Sequence, residues 1–362
     1  MARLFEPLEI GPITAPNRIA VAPMCMYSAQ DGAASDWHLH HWPTLAMSGA
    51  GLVMIEATAV ERRGRITHGC VGLYTDENEY SFARALAAAR AAALPVVKFG
   101  VQIAHAGRKG SARKPWQGGA ALGPGEDPWT AVGPSPLPFN EGWPAPHELE
   151  ADEIAALAGQ FAQAARRAER AGVDLIELHM AHGYLLHSFL SPLSNRRADR
   201  YGLDRFAFPL EVVEAVRAAV SGRVALGARI TGSDWTAEGI QPGDCVALAG
   251  ELKRLGLHYV DVSSGGVDPR IAISASPGYQ VPFARQVREA TGLITRAVGL
   301  ILDGPQAEEI IASGAADQVA IGRGMLDDPR WGWRAASALG VELPLPPPYA
   351  RVARKLWSGH RS

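Results

Sequence analysis

Apolar segments alternate with helical segments along most of the chain, and this alternation limits the possible folds more than any other feature. Eight apolar segments are predicted as strands, and most are followed by a segment predicted as a helix. Strands that are apolar on both faces are typical of a parallel sheet covered by helices. The predicted strands span residues 19–24, 52–60, 95–103, 173–178, 224–230, 259–266, 294–299 and 318–323.

Two α/β architectures accommodate this pattern. A doubly wound sheet that binds a dinucleotide carries a Gly-x-Gly-x-x-Gly sequence after an early strand, and this chain has none there. Eight strand–helix units instead favour a (β/α)₈ barrel, the TIM barrel. We predict a single barrel domain over residues 1–362, with its core at 18–340. An N-terminal hairpin (4–19) should cap it, a long excursion (106–146) should follow the third strand, and 341–362 should form a tail.

Composition places the chain among globular proteins and argues against several partners. Hydrophobic residues make up 47%, charged residues 20%, and the formal net charge is -2. This balance gives no electrostatic basis for binding nucleic acid or an anionic membrane. No apolar run reaches the roughly 18 residues that span a bilayer, and no signal-peptide core follows the first residue. Because the three cysteines, Cys25, Cys70 and Cys245, are widely spaced, we expect no disulfide framework and a cytoplasmic protein.

The richest set of polar side chains follows the fourth predicted strand. His179, His182 and Tyr184 lie where that strand ends, and barrel active sites lie at the carboxyl ends of the strands. Side chains alternate along a strand, so Leu175, Glu177 and His179 share the inner face. Two imidazoles and a phenol can bind an anionic oxygen, donate a proton or bind a metal. The pattern alone leaves these three uses open.

Other strand ends together predict a larger pocket. Gly299 and Gly322, with Arg323 beside them, follow the last two strands, where barrels commonly bind phosphate. Backbone N–H groups can approach an anion closely at such glycines. Gln102 and Arg229 point inward from the ends of two further strands. This set describes a pocket for a large, flat, phosphorylated cofactor.

The strand-end motifs, taken together, resemble the signature of the old yellow enzyme family over essentially the whole chain. The matching segments are His179-x-x-His182-Gly183-Tyr184, Phe189-Leu190-Ser191-Pro192, Asn195-Arg196-Arg197-x-Asp199-x-Tyr201-Gly202, Pro23-Met24-Cys25-Met26-Tyr27, Gln102-Ile103-x-His105-x-Gly107-Arg108 and Ile321-Gly322-Arg323. Cys25 followed by Tyr27 is most similar to the "thermophilic-like" branch. The resemblance implies an ene-reductase that holds FMN and transfers hydride from NADPH, or NADH, to α,β-unsaturated aldehydes, ketones, imides or nitro compounds.

The resemblance also implies a role for each matching residue. His179 and His182 would bind the carbonyl or nitro oxygen of the substrate, and Tyr184 would donate the proton. The residues that would contact FMN are Pro23, Met24, Cys25, Ala57, Gln102, Arg229, Gly299, Gly322 and Arg323.

Substrate contacts are further implied for Cys25, Tyr27 and Arg351. Arg351 lies in a tail segment that resembles one reaching into the site of a neighbouring subunit. The resemblance therefore implies a dimer or tetramer with a shared site.

A zinc site is one alternative for the two histidines. The spacing of His179 and His182 permits it, with His187 or Glu177 as a third ligand. Since Glu177 points inward, we expect it to pair instead with Arg229 on the adjacent strand, and we expect no metal.

Two further alternatives concern the activity itself. A barrel lysine such as Lys98 can form a Schiff base, which would make the protein an aldolase. Lys98 lies four residues before Gln102, deep in the predicted barrel, so we expect it to pair with a carboxylate. The other alternative is a non-catalytic module that binds a flavin or another ligand.

Overall fold

A closed barrel of parallel strands forms the centre of the molecule, as the alternation predicts. The computed structural model describes residues 2–353 and 355–357. The barrel strands are β1 (Ile19–Val21), β2 (Leu52–Ala59), β3 (Lys98–Ala104), β4 (Leu175–Met180), β5 (Ala225–Thr231), β6 (Tyr259–Ser263), β7 (Ile294–Val298) and β8 (Gln318–Ile321). β8 pairs with β1 and closes the ring, which confirms the predicted (β/α)₈ barrel.

Helices cover the outside of the barrel. They are α1 (Asp36–Ala46), α2 (Asp76–Ala92), α3 (Ala151–Ala171), α4 (Leu185–Leu190), α5 (Arg200–Leu203), α6 (Ala207–Ala219), α7 (Pro242–Arg254), α8 (Val281–Thr291), α9 (Gly304–Ala312), α10 (Arg323–Asp327) and α11 (Trp331–Ala338). Among the described residues, no helix is both long and apolar enough to cross a membrane.

Helix α3 illustrates how local sequence places the strand that carries the histidines. The Glu153 carboxylate accepts the Glu150 N–H at 2.9 Å and satisfies a free donor at the helix start. Ile154, Leu157 and Phe161 recur at helical spacing and are buried against the barrel. Gly172 ends the helix with φ +96°, a left-handed conformation that favours glycine. The chain then enters β4 directly.

The side chains of strand β4 point inward and outward as predicted. Leu175 packs in the inner cluster, whereas Ile176 and Leu178 belong to the outer cluster that includes helix side chains. Alternation then places Glu177 and His179 on the inner face with Leu175. The strand therefore directs its last inner side chain, His179, to the carboxyl end of the barrel.

The predicted hairpin closes the amino end of the barrel. Its strands, Leu8–Ile10 and Ile13–Ala15, pair antiparallel. Leu8, Ile10 and Ile13 are buried together with inner side chains of the barrel strands. The hairpin therefore covers the amino end of the barrel with apolar side chains.

The excursion after β3 contains little regular structure. It carries two short 3₁₀ turns, Gly107–Lys109 and Pro115–Gln117. A two-residue strand, Val132–Gly133, pairs with His147–Glu148 before α3 begins. Its first turn lies beside the fourth-strand histidines, since Lys109 donates to the His182 oxygen at 2.7 Å.

Candidate active site

His179, His182 and Tyr184 form one cluster at the end of β4. The rings of His179 and His182 have centroids 5.1 Å apart, and those of His179 and Tyr184 are 4.9 Å apart. The three predicted donors therefore face a common space.

The turn that carries His182 is constrained by its backbone and by two contacts of the buried His187. His182 has φ +61° and Gly183 has φ +75°, and a Cβ on Gly183 would lie 2.3 Å from the Gly266 oxygen. The Gly183 N–H donates to His187 Nδ1 at 2.6 Å, and His187 Nε2 lies 3.2 Å from the Asp234 carboxylate. Because His187 uses both nitrogens in these contacts, it is not free to act as the third zinc ligand.

The protonated nitrogen of His179 follows from its hydrogen bond. Its Nδ1 lies 3.3 Å from the Ala181 N–H, which can only donate. The proton of the neutral ring is therefore on Nε2. His179 Nε2–H remains available to a ligand.

Ser263, which the sequence analysis did not single out, determines the tautomer of His182. His182 Nε2 and Ser263 Oγ lie 2.7 Å apart. Ser263 Oγ has one proton and two possible acceptors, His182 Nε2 at 2.7 Å and Gln280 Oε1 at 3.2 Å, and the shorter distance is typical of an O–H donor and short for an N–H donor. We infer that the Ser263 hydroxyl donates to His182 Nε2, which leaves the ring proton on Nδ1. His182 Nδ1–H then becomes the second available donor.

All three rings are uncharged near neutral pH. Burial, followed by the positive charge of Arg229, lowers the pKa of both His179 and His182 well below the usual histidine value. Burial raises the pKa of Tyr184 well above the usual tyrosine value. The site therefore offers neutral donors.

Lys109 is a second residue that sequence reasoning missed. Its ammonium donates to the His182 oxygen at 2.7 Å and to the Gly266 oxygen at 3.1 Å. The same nitrogen lies 4.8 Å from the centroid of the Tyr184 ring, within the range of a cation–π contact. Burial lowers the pKa of Lys109 to about 8. The only local signal was its position, just after Gly107-Arg108.

Gln102 and Arg229 lie at the barrel mouth as predicted, but their partners differ from the expected ones. Gln102 Nε2 donates to Glu177 at 2.8 Å. The expected Glu177–Arg229 pair is wrong, since Glu177 pairs with Arg296 at 3.0 Å and Arg229 lies 3.3 Å from Asp261. It is Arg229 Nε that faces Asp261, and the Arg229 side chain makes no hydrogen bond within the described part of the chain, so its terminal nitrogens are available to a ligand.

A cavity of about 290 Å³ lies at the ends of β7 and β8 and is lined by Gly299, Gly322 and Arg323. Gly299 has φ +112°, a conformation that favours glycine, and a Cβ on Gly322 would be in van der Waals contact with Met24 at 3.6 Å. Arg334 and Asp327 also line it. Arg334 is already paired with Asp328 at 2.6 Å, so Arg323 is the guanidinium group that the cavity offers to a phosphate.

These two groups of residues fit FMN. A phosphate matches the glycine-lined cavity beside Arg323, and the polar edge of the flavin ring matches the Gln102 amide and the Arg229 guanidinium. The fit rests on these polar groups and on the glycine-lined backbone.

Residues 23–27 follow β1 and line the side of the site next to β2. The Cys25 thiol lies 4.0 Å from the Ala57 oxygen, and burial raises its pKa, so it is a thiol and not a thiolate. Tyr27 adopts φ +51°, and its ring centroid lies 6.0 Å from that of Trp116 in the excursion. The excursion therefore supplies one wall of the pocket.

Arg351 is not brought to the site of its own chain. It lies exposed in the 3₁₀ helix Pro347–Val352. The Arg330 guanidinium stacks 4.8 Å from the Tyr349 ring of this helix and donates to the Met47 oxygen, which precedes β2. The tail therefore packs at the amino end of the barrel, opposite the histidines.

Lys98 is also distant from the chemistry. It is the first residue of β3, at the amino end, and it is half-buried. The expected carboxylate partner is absent within 4.0 Å among the residues that the structure describes. A Schiff base at Lys98 would form at the end closed by the hairpin, so the geometry does not favour an aldolase.

The fold and the site together define a class of protein. A parallel barrel with neutral proton donors at its carboxyl end, a phosphate cavity at β7 and β8 and polar groups between them is suited to a flavin-dependent oxidoreductase.

Comparisons with known proteins agree with this class. The family model described as the NADH:flavin oxidoreductase / NADH oxidase family matches residues 3–342. An NADPH dehydrogenase of Geobacillus thermodenitrificans is 41% identical over 353 residues, covering 96% of this chain and 98% of that protein. One of Bacillus subtilis is 39% identical over 357 residues, covering 97% and 99%. Morphinone reductase, a solved structure, superposes with a TM-score of 0.75 at 29% identity, covering 95% and 91%.

The chain belongs to the NADH:flavin oxidoreductase / NADH oxidase family, and the predicted membership of the old yellow enzyme family is confirmed. A second morphinone reductase structure, in complex with tetrahydroNAD, has a TM-score of 0.74 at 27% identity and covers 99% of this chain and 97% of that one. The protein is an oxidoreductase that uses FMN and a nicotinamide hydride donor.

Proposed function

We propose that the protein is an ene-reductase that saturates the C=C bond of α,β-unsaturated aldehydes, ketones, imides or nitro compounds. The observation that supports this most directly is the convergence of two neutral imidazole donors with a neutral phenol, His179, His182 and Tyr184. Bound FMN, once reduced by NAD(P)H, supplies the hydride.

The two imidazoles bind and polarise the substrate. His179 Nε2–H and His182 Nδ1–H donate to the carbonyl or nitro oxygen, on which negative charge develops as the β-carbon is reduced. Neutral donors suit this role because they stabilise that charge without first binding an anion. Buried donors also act in a low-dielectric site, where a hydrogen bond to charge is stronger than in water.

Tyr184 then protonates the α-carbon. Its raised pKa keeps the phenol protonated at neutral pH, and the ring lies against His179, beside the bound oxygen. Lys109 packs on the Tyr184 ring and holds the His182 backbone, so it positions both groups.

The cofactor is proposed to lie across the strand ends. Gln102 and Arg229 would hold the polar edge of the ring, with Ala57 and residues 23–25 at its side. Gly299, Gly322 and Arg323 would hold the phosphate. Cys25 and Tyr27 would line the substrate side.

An anaerobic two-step experiment tests the proposed function. The protein is reduced with one equivalent of NADPH while the flavin absorbance near 450 nm is followed, and cyclohexenone is then added. We expect bleaching, recovery of the absorbance and formation of cyclohexanone. Bleaching without recovery would indicate that the protein oxidises NADPH but does not reduce the alkene. A lack of bleaching would indicate a non-catalytic flavin-binding module.

The Ser263→Ala variant is expected to weaken substrate activation by changing a proton position. Without the hydroxyl, His182 is free to carry its proton on Nε2. The lone pair that remains on Nδ1 then repels a carbonyl oxygen instead of binding it. We expect the rate of alkene reduction to fall by about tenfold, the effect of one weakened hydrogen bond. Ser263→Thr, which retains the hydroxyl, is the control. Equal rates for the alanine and threonine variants would contradict the tautomer assignment.

Self-association through the tail is also proposed. Arg351 is exposed and lies far from the histidines of its own chain, as a residue that completes a neighbour's site would. Sedimentation at assay concentration tests this, because a protein that is monomeric there cannot share a site.

A further inference from the structure

A closed network of four charges fills the barrel below the proposed flavin position. Glu177, Arg296 and Asp261 are fully buried, and Arg229 is 7% exposed. Two guanidinium groups face two carboxylates, so the network is electrically balanced. An isolated buried charge is strongly unfavourable, so each member depends on the others.

Glu177 contacts more of the network than the other carboxylate. One of its oxygens accepts the Gln102 amide N–H at 2.8 Å. The other accepts the Tyr259 hydroxyl at 2.7 Å and Arg296 at 3.0 Å. Arg296 in turn donates to Gln318 at 2.7 Å. Glu177 thus connects a residue at the barrel mouth to the charges below it.

Asp261 links the same network to Arg229. Its carboxylate lies 3.7 Å from Arg296 and 3.3 Å from Arg229, and neither contact has hydrogen-bond geometry. The link is therefore electrostatic, and it depends on the total charge rather than on one directed bond. A change of charge at Glu177 therefore alters how well Arg296 and Asp261 balance the positive charge of Arg229.

We propose that Glu177 is a positioning residue that sets both the orientation of Gln102 and the charge presented to the flavin by Arg229. A carboxylate only accepts hydrogen bonds, so the Gln102 amide nitrogen must face Glu177 and its carbonyl oxygen must face away. That oxygen is then available to the imide N–H of the flavin ring. The inference rests on the proposed placement of the ring against Gln102 and Arg229.

The charge balance determines the direction of the expected effect. With Glu177 neutral, two guanidinium groups would face only one carboxylate, which leaves one net positive charge below the ring. Positive charge stabilises the anionic reduced flavin, and the low dielectric of the barrel interior strengthens the effect. Loss of the Glu177 charge therefore raises the flavin reduction potential.

The Glu177→Gln variant of the holoenzyme tests the proposal. Its flavin midpoint potential, measured against a reference dye, should shift to a more positive value. Its FMN dissociation constant should rise about tenfold because the Gln102 amide is no longer oriented by a charge. Asp174→Asn is the matched control, since Asp174 precedes the same strand at the amino end and its charge is paired with Arg90. An unchanged potential in Glu177→Gln, or an equal shift in the control, overturns the proposal.

A double variant keeps the test decisive if the single variant does not retain FMN. Glu177→Gln combined with Arg296→Gln removes one charge of each sign and restores the balance. With FMN in excess, we expect it to bind FMN as weakly as the single variant, because Gln102 still has no carboxylate partner, and to show a potential close to that of the wild type. A failure to do so, or a potential still shifted as in the single variant, overturns the charge account.

The failure of the proposal and of the flavin placement can be distinguished. Gln102→Leu should weaken FMN binding if the ring lies against that residue. Unchanged binding in Gln102→Leu would mean that the flavin placement is wrong. Weaker binding in Gln102→Leu with no effect of Glu177→Gln would reject only the positioning role.

Discussion

The His179→Ala variant should reduce activated alkenes about 100- to 1,000-fold more slowly than the wild type, the usual effect of losing one donor to a developing oxyanion. The imidazole is a buried neutral donor with its free proton on Nε2, so its removal leaves the substrate oxygen with His182 alone. The measurement is the rate at which cyclohexenone reoxidises photochemically reduced enzyme. Photoreduction keeps the nicotinamide step out of the rate.

His40→Ala provides the control for that measurement, because His40 is exposed on α1 and away from the strand ends. Its reoxidation rate should equal that of the wild type. A His179→Ala rate within threefold of the wild type would show that the pair does not activate the substrate.

The Tyr184→Phe variant should lose about 10²- to 10⁴-fold in the same reoxidation rate, which is the range for removal of a positioned proton donor. Flavin reduction by NADPH should be unchanged, since that step requires no proton from the phenol. Both half-reactions are measured separately by stopped flow at 450 nm. Equal losses in the two would mean that Tyr184 supports the site rather than donating the proton.

The pH dependence gives an independent test of the same residue. Burial raises the pKa of Tyr184, so its protonated form persists to higher pH than in a free tyrosine. We expect the part of the reoxidation rate that is lost in Tyr184→Phe to remain independent of pH through about 10, the ordinary tyrosine pKa. Tyr80→Phe, at a side chain that is 73% exposed, should leave this profile unchanged. A decline centred below pH 10 that vanishes in Tyr184→Phe would contradict the raised pKa.

Local patterns in the sequence were sufficient to predict the barrel and to predict which side chains of its fourth strand point inward. Alternation along residues 173–178 predicted that Leu175 points inward, and the structure places it in the inner cluster. The limits of helix α3 are likewise set by local contacts, because the Glu150–Glu153 contact lies at its start and Gly172 lies at its end. Such features depend on near neighbours, so the sequence contains them directly.

Contacts between distant parts of the chain could not be predicted in this way. Ser263 meets His182 from 81 residues away, and Lys109 meets the His182 oxygen from 73. The prediction of a Glu177–Arg229 pair was wrong for the same reason. Adjacency of β4 and β5 made it plausible, but Arg296 on β7 reaches across the barrel and takes the Glu177 carboxylate.

The barrel and the residues at the carboxyl ends of its strands could be predicted from the sequence, because side-chain alternation and turn residues are local properties. The folded structure was needed to show that His179 and His182 are neutral and which of their nitrogens carry protons. It also decided that Arg229 faces Asp261 and that Arg351 lies away from its own site. Those properties depend on burial and on partners brought together by closure of the barrel, and neither is present until the chain has folded.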